Sequence, residues 1–473
     1  MRNNPHDKIN HADFDWLGYD WGKVGDRSKT AVHPFDIYLP ASVDAVKQAV
    51  KNAQESSAFM VRANGHSDNA LVVGKSPDVP VICMRNLTAI TETSGSIIQN
   101  NGNTDFVRAQ SGLEIGDLED RLAKEGYGLP IAPDHRHITL GGFASAGGIS
   151  AASHLYGLFV DNIIRLEILE NSTGQISVCT GQTIYDFVGK ASQPDFIILS
   201  LDLVVINTNK RTSLLEQKAT LFRDPTDINA AIKNYIDAFV GLKNSDSNTK
   251  YVRGTWFRMG KNPQAGVVAK FTTTKSSGEK WVERNERIAQ LDAIGAHGGN
   301  LPENIAELEE DLKLLAWQKL ADPRSALRYQ TYEDTELFTD KVVDSSVGTP
   351  TYMLAIFVPI EHFPSAFKSV LDICNNHFGN PLKMFALYSR VINSNFLSGK
   401  GRDKTTYADI SIFAGVTENA GSLITSVVKD LDSLASSFNA QLPQDGYPVT
   451  RYMVTQTTFR PGTNDPRDPA SHW

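Results

Sequence analysis

Cysteine is scarce in this chain. Cys83, Cys179 and Cys374 are the three present in 473 residues, far apart and each inside an apolar run. No CxxC pair occurs, which argues against a zinc ribbon, and three dispersed thiols make no disulfide framework. They read as buried free thiols, the form suited to a reducing compartment, so a cytoplasmic location is expected. Long apolar runs are also missing. Nowhere do 18 consecutive apolar residues appear, so no membrane-spanning helix is expected, and the polar opening MRNNPHDKINHADFDW lacks the apolar stretch of a signal peptide. Basic clusters are absent too. With 46 Lys and Arg against 54 Asp and Glu (46 − 54 = −8) and a pI near 5.8, nucleic acid is not expected as the main partner, because phosphate neutralisation needs clustered cations.

Several catalytic signatures are missing as well. No GxGxxG follows a strand, so the Rossmann fingerprint is not there. Gly74-Lys75-Ser76 ends like a P-loop, but Asn69 stands where its first glycine belongs. HExxH and GxSxG do not occur, and apart from His135 and His137 the eleven histidines show no metal-like spacing. Metallohydrolase and serine-hydrolase readings lose their usual support.

What is present is an ordinary globular composition, 41% hydrophobic and 21% charged, long enough for two or three domains. Residues 1–31 read as a polar arm with Trp16, Tyr19 and Trp21 available for docking. Ser42 as N-cap and Val43, Val46, Ala49, Val50 and Ala53 on one face predict a helix. Strands are expected at 59–62, 81–84, 107–110, 163–169, 176–179 and 197–206, with an amphipathic helix over 114–125. The character turns polar near residue 207, where a domain boundary is placed. Beyond it, helical periods at 226–241, 304–321, 364–376 and 422–437 alternate with strands near 252–257, 266–272, 352–359, 383–390 and 407–414. An antiparallel or mixed sheet covered on one face is expected.

Two loops stand out. Arg62-Ala63-Asn64-Gly65-His66-Ser67 follows a strand directly, and Gly65 permits the turn in which successive amides form an anion-binding nest. The second runs Thr139-Leu-Gly141-Gly142-Phe-Ala-Ser145-Ala-Gly147-Gly148-Ile149-Ser150. Four glycines in eight positions disfavour an ordinary helix by about 1 kcal/mol each. Close backbone approach to a large planar or phosphorylated ligand accounts for them, and so does a tight helix–sheet contact.

Together these loops resemble the vanillyl-alcohol-oxidase, or PCMH-type, FAD-binding superfamily. Its pattern is a strand, R-x-x-G-H-S, then T-x-G-G-x-x-S-x-x-G-I-S about seventy residues on, then Y/H-G-x-x-x-D/S-N and a strand. Arg62–Ser67, Thr139–Ser150 and Tyr156-Gly157…Asp161-Asn162 stand here in that order. Within the superfamily the chain looks most like cytokinin dehydrogenases, where an Asp stands five residues before the Thr; Asp134 occupies that place. The run Ser153–Phe159 is similar to Δ24-sterol reductases. His135 stands where bicovalent relatives carry Cys, so a second flavin link is not expected. Lys190–Phe196 departs from the usual glycine-rich segment.

The resemblance implies an α+β fold of two domains: an FAD-binding domain at 32–207 and a cap at 208–440, with 441–473 returning to the first. It implies FAD, tethered through His66 or merely contacted by it, and held by Arg62, Ala63, Asn64, Gly65, Ser67, Asp134, Thr139, Gly141, Gly142, Ser145, Gly147, Gly148, Ile149, Ile197 and Tyr452. It implies a small-molecule substrate whose C–H beside a hydroxyl or amine is oxidised, with Asp134 as base or, alternatively, a turn residue after Pro133. A biosynthetic cyclase, an ene-reductase and a flavin-free binding protein remain alternatives. His137 is expected to pack at a strand edge. Trp256, Arg258, Tyr388 and Arg390 fall on strands that either line a pocket or fill a core. Tyr447 is a further tyrosine near the expected ring.

Overall fold

The computed structural model describes residues 17, 34–54, 59–67, 76–133, 137–189, 195–207, 214–224, 226–259, 264–274, 319–320, 351–378, 384–415, 421–443 and 446–452. Asp134, His135, Lys190–Pro194 and all of the N-terminal arm except Leu17 lie outside them.

The first layer contains β1 (Ile37–Tyr38), α1 (Val43–Ala53), β2 (Met60–Arg62) and β3 (Val81–Cys83). α1 starts where the sequence predicts, with Ser42 Oγ accepting from the Ala45 N–H at 3.2 Å. Asp44 in its first turn and Lys51 in its last complement the helix dipole. Val46, Ala49, Val50 and Ala53 bury one face against Ile82 and Met84. The three strands form a parallel sheet in the order β1–β3–β2. The chain therefore leaves the C-terminal end of β2 at Arg62 straight into the Ala63–Ser67 loop. Leu17 is buried with Ile37, Val81 and Cys83, so this point of the arm docks on the sheet.

The next segment carries β4 (Ile98–Asn100), β5 (Asp105–Gln110), α2 (Ile115–Lys124), β6 (Tyr127–Gly128), α3 (Leu140–Ala146), α4 (Ser153–Tyr156), β7 (Ile163–Glu170), β8 (Ile176–Thr180), β9 (Phe196–Val204) and β10 (Ile206–Asn207). An antiparallel sheet runs β4–β5–β9–β7–β8. β9 is central and covered on both sides. Ile197 and Leu199 pack with α1, whereas Ile198, Leu201 and Leu203 join the larger core, which explains its unbroken apolar run. α3 corrects an expectation: Gly141 and Gly142 lie inside a helix. It has seven residues, Thr139 caps it, and burial of Leu140, Phe143 and Ala144 outweighs the glycine penalty.

The second half comprises β11 (Leu214–Phe222), α5 (Ile228–Gly241), β12 (Thr249–Met259), β13 (Ala265–Thr274), β14 (Lys319–Leu320), β15 (Thr351–Pro359), α6 (Phe363–His377), β16 (Met384–Ser389), β17 (Val391–Asn393), α7 (Asn395–Ser398), β18 (Thr406–Gly415), α8 (Gly421–Ala440) and β19 (Thr450–Arg451). The polar character beyond residue 207 gives no strand signal, yet β11 forms one because β13 supplies a nine-residue antiparallel ladder. Lys319–Leu320, expected at the end of a helix, pair with Leu215 and Glu216 instead. Among the described residues nine strands make one antiparallel sheet, with the main path β14–β11–β13–β12–β16–β18–β15–β19 and β17 on β18.

α5, α6 and α8 cover one face of this sheet, through Tyr235, Phe239, Phe363, Phe367, Val427 and Leu431. Trp256 belongs to that side and is fully buried, its indole N–H donating to Gln264 Oε1 at 2.8 Å. The opposite face carries Tyr251, Ala355, Phe357 and Tyr407 into the same core as Phe143, Ile149 and Phe159. Strand alternation puts Tyr388 on this second face, since it pairs with Thr255 and its neighbour Leu387 pairs with Trp256. The result is an α+β protein whose glycine-rich loop lies under the open face of the large sheet.

Candidate functional site

Arg62 ends β2 and is buried, donating from Nη1 to the Leu17 carbonyl at 3.0 Å. Its guanidinium folds back over Gly65, whose φ of +74° fits glycine, and a Cβ there would run into it. His66 and Ser67 follow, both half-buried. Ser67 Oγ is buried with no hydrogen-bond partner among the described residues, so a polar ligand atom at this loop would satisfy it.

The second loop is anchored from both ends. Residues 113–115 pair with 138–140: the Ile115 N–H donates to Ile138 O and the Leu140 N–H to Leu113 O, each at 2.9 Å. The Gly141 N–H donates to Ser111 O at 2.8 Å, and a Cβ on Gly141 would stand 2.8 Å from Ser111 Cβ. That contact excludes any larger residue. Thr139 Oγ1 accepts from the Gly142 N–H at 3.4 Å, and Ser145 Oγ donates to Gly141 O at 2.8 Å. Gly142 is exposed. Gly147 closes α3 at φ +105°, and Gly148 follows at +75° with Phe143 and Phe159 filling the space beside it.

Three side chains join the two loops. Asn64 Nδ2 donates to Glu114 Oε1 at 2.7 Å and to the His137 carbonyl at 2.8 Å. Glu114 Oε2 lies 2.7 Å from His137 Nδ1. His137 is thus not packed at a strand edge as expected. Its side chain is 53% exposed and is held by a hydrogen bond to the Glu114 carboxylate at the start of α2. Glu114 escaped the sequence reading; the only hint is a Glu at an N-cap position that favours Ser, Thr, Asp or Asn.

The C-terminal half of the loop faces the large sheet. The amides of Gly148 and Ile149 approach the phenol oxygen of Tyr452, and neither N–H makes a backbone hydrogen bond among the described residues. Burial pushes the Tyr452 phenol up to about 12, with Arg390 and the two amides acting the other way. Arg390 donates from Nη2 to the fully buried Asp409 at 2.6 Å and to Ser411 Oγ at 3.2 Å. Tyr388 meets Phe413 edge-on at 5.8 Å on the same face. Tyr447 packs at the edge of the core that contains Tyr452 and donates to Asp403 O at 2.9 Å.

The Tyr156-Gly157…Asp161-Asn162 motif is a clamp. Asp161 accepts from the Leu158 N–H at 2.8 Å, the Phe396 N–H at 3.0 Å and the Tyr185 hydroxyl at 3.1 Å, and Ser394 also bonds it. Burial raises its carboxyl above the usual range against these donors. Asn162 donates to Tyr156 O and Leu158 O. His154 adds a second link, with Nδ1 3.2 Å from Ala151 O and Nε2 3.0 Å from Thr249 O. Burial lowers its imidazole below the usual range. Ile197 sits in the core and pairs in the ladder with Leu169.

The two loops, their glycines and the buried Ser67 hydroxyl fit a long phosphorylated ligand with a planar end. Comparison with known proteins agrees: residues 36–180 match the FAD binding domain family. The chain is similar to cytokinin dehydrogenase 4 of Oryza sativa subsp. japonica, 27% identical over 163 residues, 34% of this chain and 30% of that protein. It is similar to cytokinin dehydrogenase 3 of Arabidopsis thaliana, 23% identical over 162 residues, covering 34% and 29%. A Delta(24)-sterol reductase homolog of Caenorhabditis elegans is 36% identical over 53 residues, 11% of this chain and 10% of that protein. The chain spans less than a third of each relative's length. Over 36–180 the resemblance read from the two motifs stands.

Proposed function

We propose that this chain is an FAD-dependent oxidoreductase that oxidises a small molecule at a C–H beside a hydroxyl or amine. The observation that carries the reading is the joining of the Arg62–Ser67 and Thr139–Ile149 loops by Asn64, Glu114 and His137, within a stretch that matches an FAD binding domain. When bound, FAD supplies the hydride acceptor.

In this reading the Arg62–Ser67 turn, through Ala63, Asn64, Gly65 and Ser67, and the Thr139, Gly141, Gly142 and Ser145 groups hold the polar length of the cofactor by amides and hydroxyls. Gly147, Gly148, Ile149 and Tyr452 stand at its ring end, with Ile197 supporting from the core. His66 is the tether. Asp134 accepts the substrate proton, a role that typically contributes about 10²–10⁴-fold. The Tyr388, Arg390 and Phe413 face closes over the substrate. Arg390 is neutralised by Asp409 and orders that face.

A second reading, FAD-dependent reduction of a carbon–carbon double bond, is favoured by the 53-residue likeness to the Delta(24)-sterol reductase homolog. The deciding experiment is the visible spectrum of the purified protein followed by acid precipitation. Yellow colour kept in the pellet, and bleached anaerobically by an alcohol or amine, supports the oxidising reading with a His66 tether. Colour released to the supernatant removes the tether and favours the reductase or a redox-neutral cyclase. A colourless protein that takes up no added FAD overturns flavin chemistry and leaves a binding protein.

A further inference from the structure

The Asn64–Glu114–His137 contacts form a closed ring across the two loops. Asn64 comes from the loop after β2, Glu114 stands immediately before α2, and His137 leads into α3. Each contact is 2.7–2.8 Å long, and both carboxylate oxygens of Glu114 are used, one toward each loop. The backbone repeats the connection, since Glu114 and Thr139 form an antiparallel bridge. Glu114 is therefore the only side chain of the ring that touches both other members through separate atoms. Asn64 stands two residues before His66, and His137 stands two residues before Thr139. Any shift of this ring moves the two loops relative to each other.

We propose that Glu114 is a positioning residue for the cofactor: its carboxylate sets the spacing between the Gly65-His66-Ser67 turn and the Thr139–Gly142 turn, and so the affinity for FAD. The inference rests on the FAD reading above. Hydrogen bonds to a charged group are worth more than neutral ones, and here two act on one carboxylate. Because Asn64 and Glu114 share one contact and close the same ring on His137, their removal is not additive. A purely structural contact at a partly exposed position would instead change stability slightly and leave FAD affinity alone.

The test uses apoprotein made in a riboflavin-starved auxotroph and loaded with FAD, followed by quenching of flavin fluorescence. This readout serves a tethered and an untethered cofactor alike. Glu114→Ala and Asn64→Ala are each expected to raise the half-loading FAD concentration at least about 10-fold. The double variant is expected to stay within about 3-fold of the weaker single variant. Glu114→Gln, which keeps an acceptor for Asn64, is expected to recover part of the loss, and it carries the test if Glu114→Ala does not fold. Wild-type loading by Glu114→Ala and Asn64→Ala, or a double variant equal to the product of the singles, overturns the inference while wild-type loading sustains the FAD reading. A wild-type protein that takes no FAD overturns both.

Discussion

Gly148→Ala puts the geometry of the glycine-rich loop to a quantitative test. Gly148 sits at φ +75°, a conformation that costs an L-residue about 1–2 kcal/mol. A Cβ there would also collide with Phe159 Cβ and stand 2.9 Å from Phe143 Cε1. Neither ring can withdraw easily. Both are buried, their centroids are 4.8 Å apart, and the Phe159 N–H is bonded to Gly148 O at 2.8 Å. Overpacking of this kind adds about 1–3 kcal/mol. Reduced freedom of the unfolded chain returns about 0.4–1 kcal/mol. The net loss expected is about 1–4.6 kcal/mol. Gly174→Ala is the control: its φ is +69°, but no atom lies within 4 Å of the new Cβ, so only the backbone cost of about 1 kcal/mol applies. Urea unfolding followed by tryptophan fluorescence compares the two. If Gly148→Ala is destabilised no more than Gly174→Ala, the packing described around the loop is wrong.

His154 gives a pH prediction. Its folded imidazole is held below the usual value of about 6.5 by burial, so between the folded value and about 6.5 the unfolded chain binds more protons. Stability should therefore fall as pH drops through about 6.5, and His154→Gln should lose that acid-dependent component; identical pH profiles in urea titrations from acid to neutral would count against it. Asp134→Asn is expected to retain FAD but slow flavin reduction by substrate at least about tenfold, read by anaerobic stopped flow, and wild-type reduction would remove Asp134 from the role.

The parts legible in the sequence were those whose reason is local. Ser42 and the spacing of Val46, Ala49, Val50 and Ala53 announce α1 because a cap and one apolar face suffice to define it. Gly65 and Gly148 announce turns because few other residues fit those backbone angles. What stayed hidden depends on distant partners. Asp161 belongs to a legible motif, but its part in clamping the loop depends on Phe396, 235 residues away, which donates to it. β11 lies in sequence that reads only as polar until β13 completes its ladder. The glycines of α3 suggested no helix, since propensity carries no information about the Ser111 contact that requires Gly141. Sequence alone leaves His137 at a packed strand edge, because its partner Glu114 lies 23 residues earlier, beyond any periodic pattern.

The clamp around Asp161 and Tyr452 also sets a schedule for biosynthesis. Residues 147–162 emerge early from the ribosome, but their partners are Thr249, Asn393, Phe396 and Tyr452. From Ile149 to Tyr452 the chain must grow by 452 − 149 = 303 residues. At about 5–20 residues per second that is a delay of roughly 15–60 s. Throughout it the loop has its glycines and lacks the sheet that covers them. The Gly147–Ile149 end of the loop is thus completed only when nearly the whole described chain has been made.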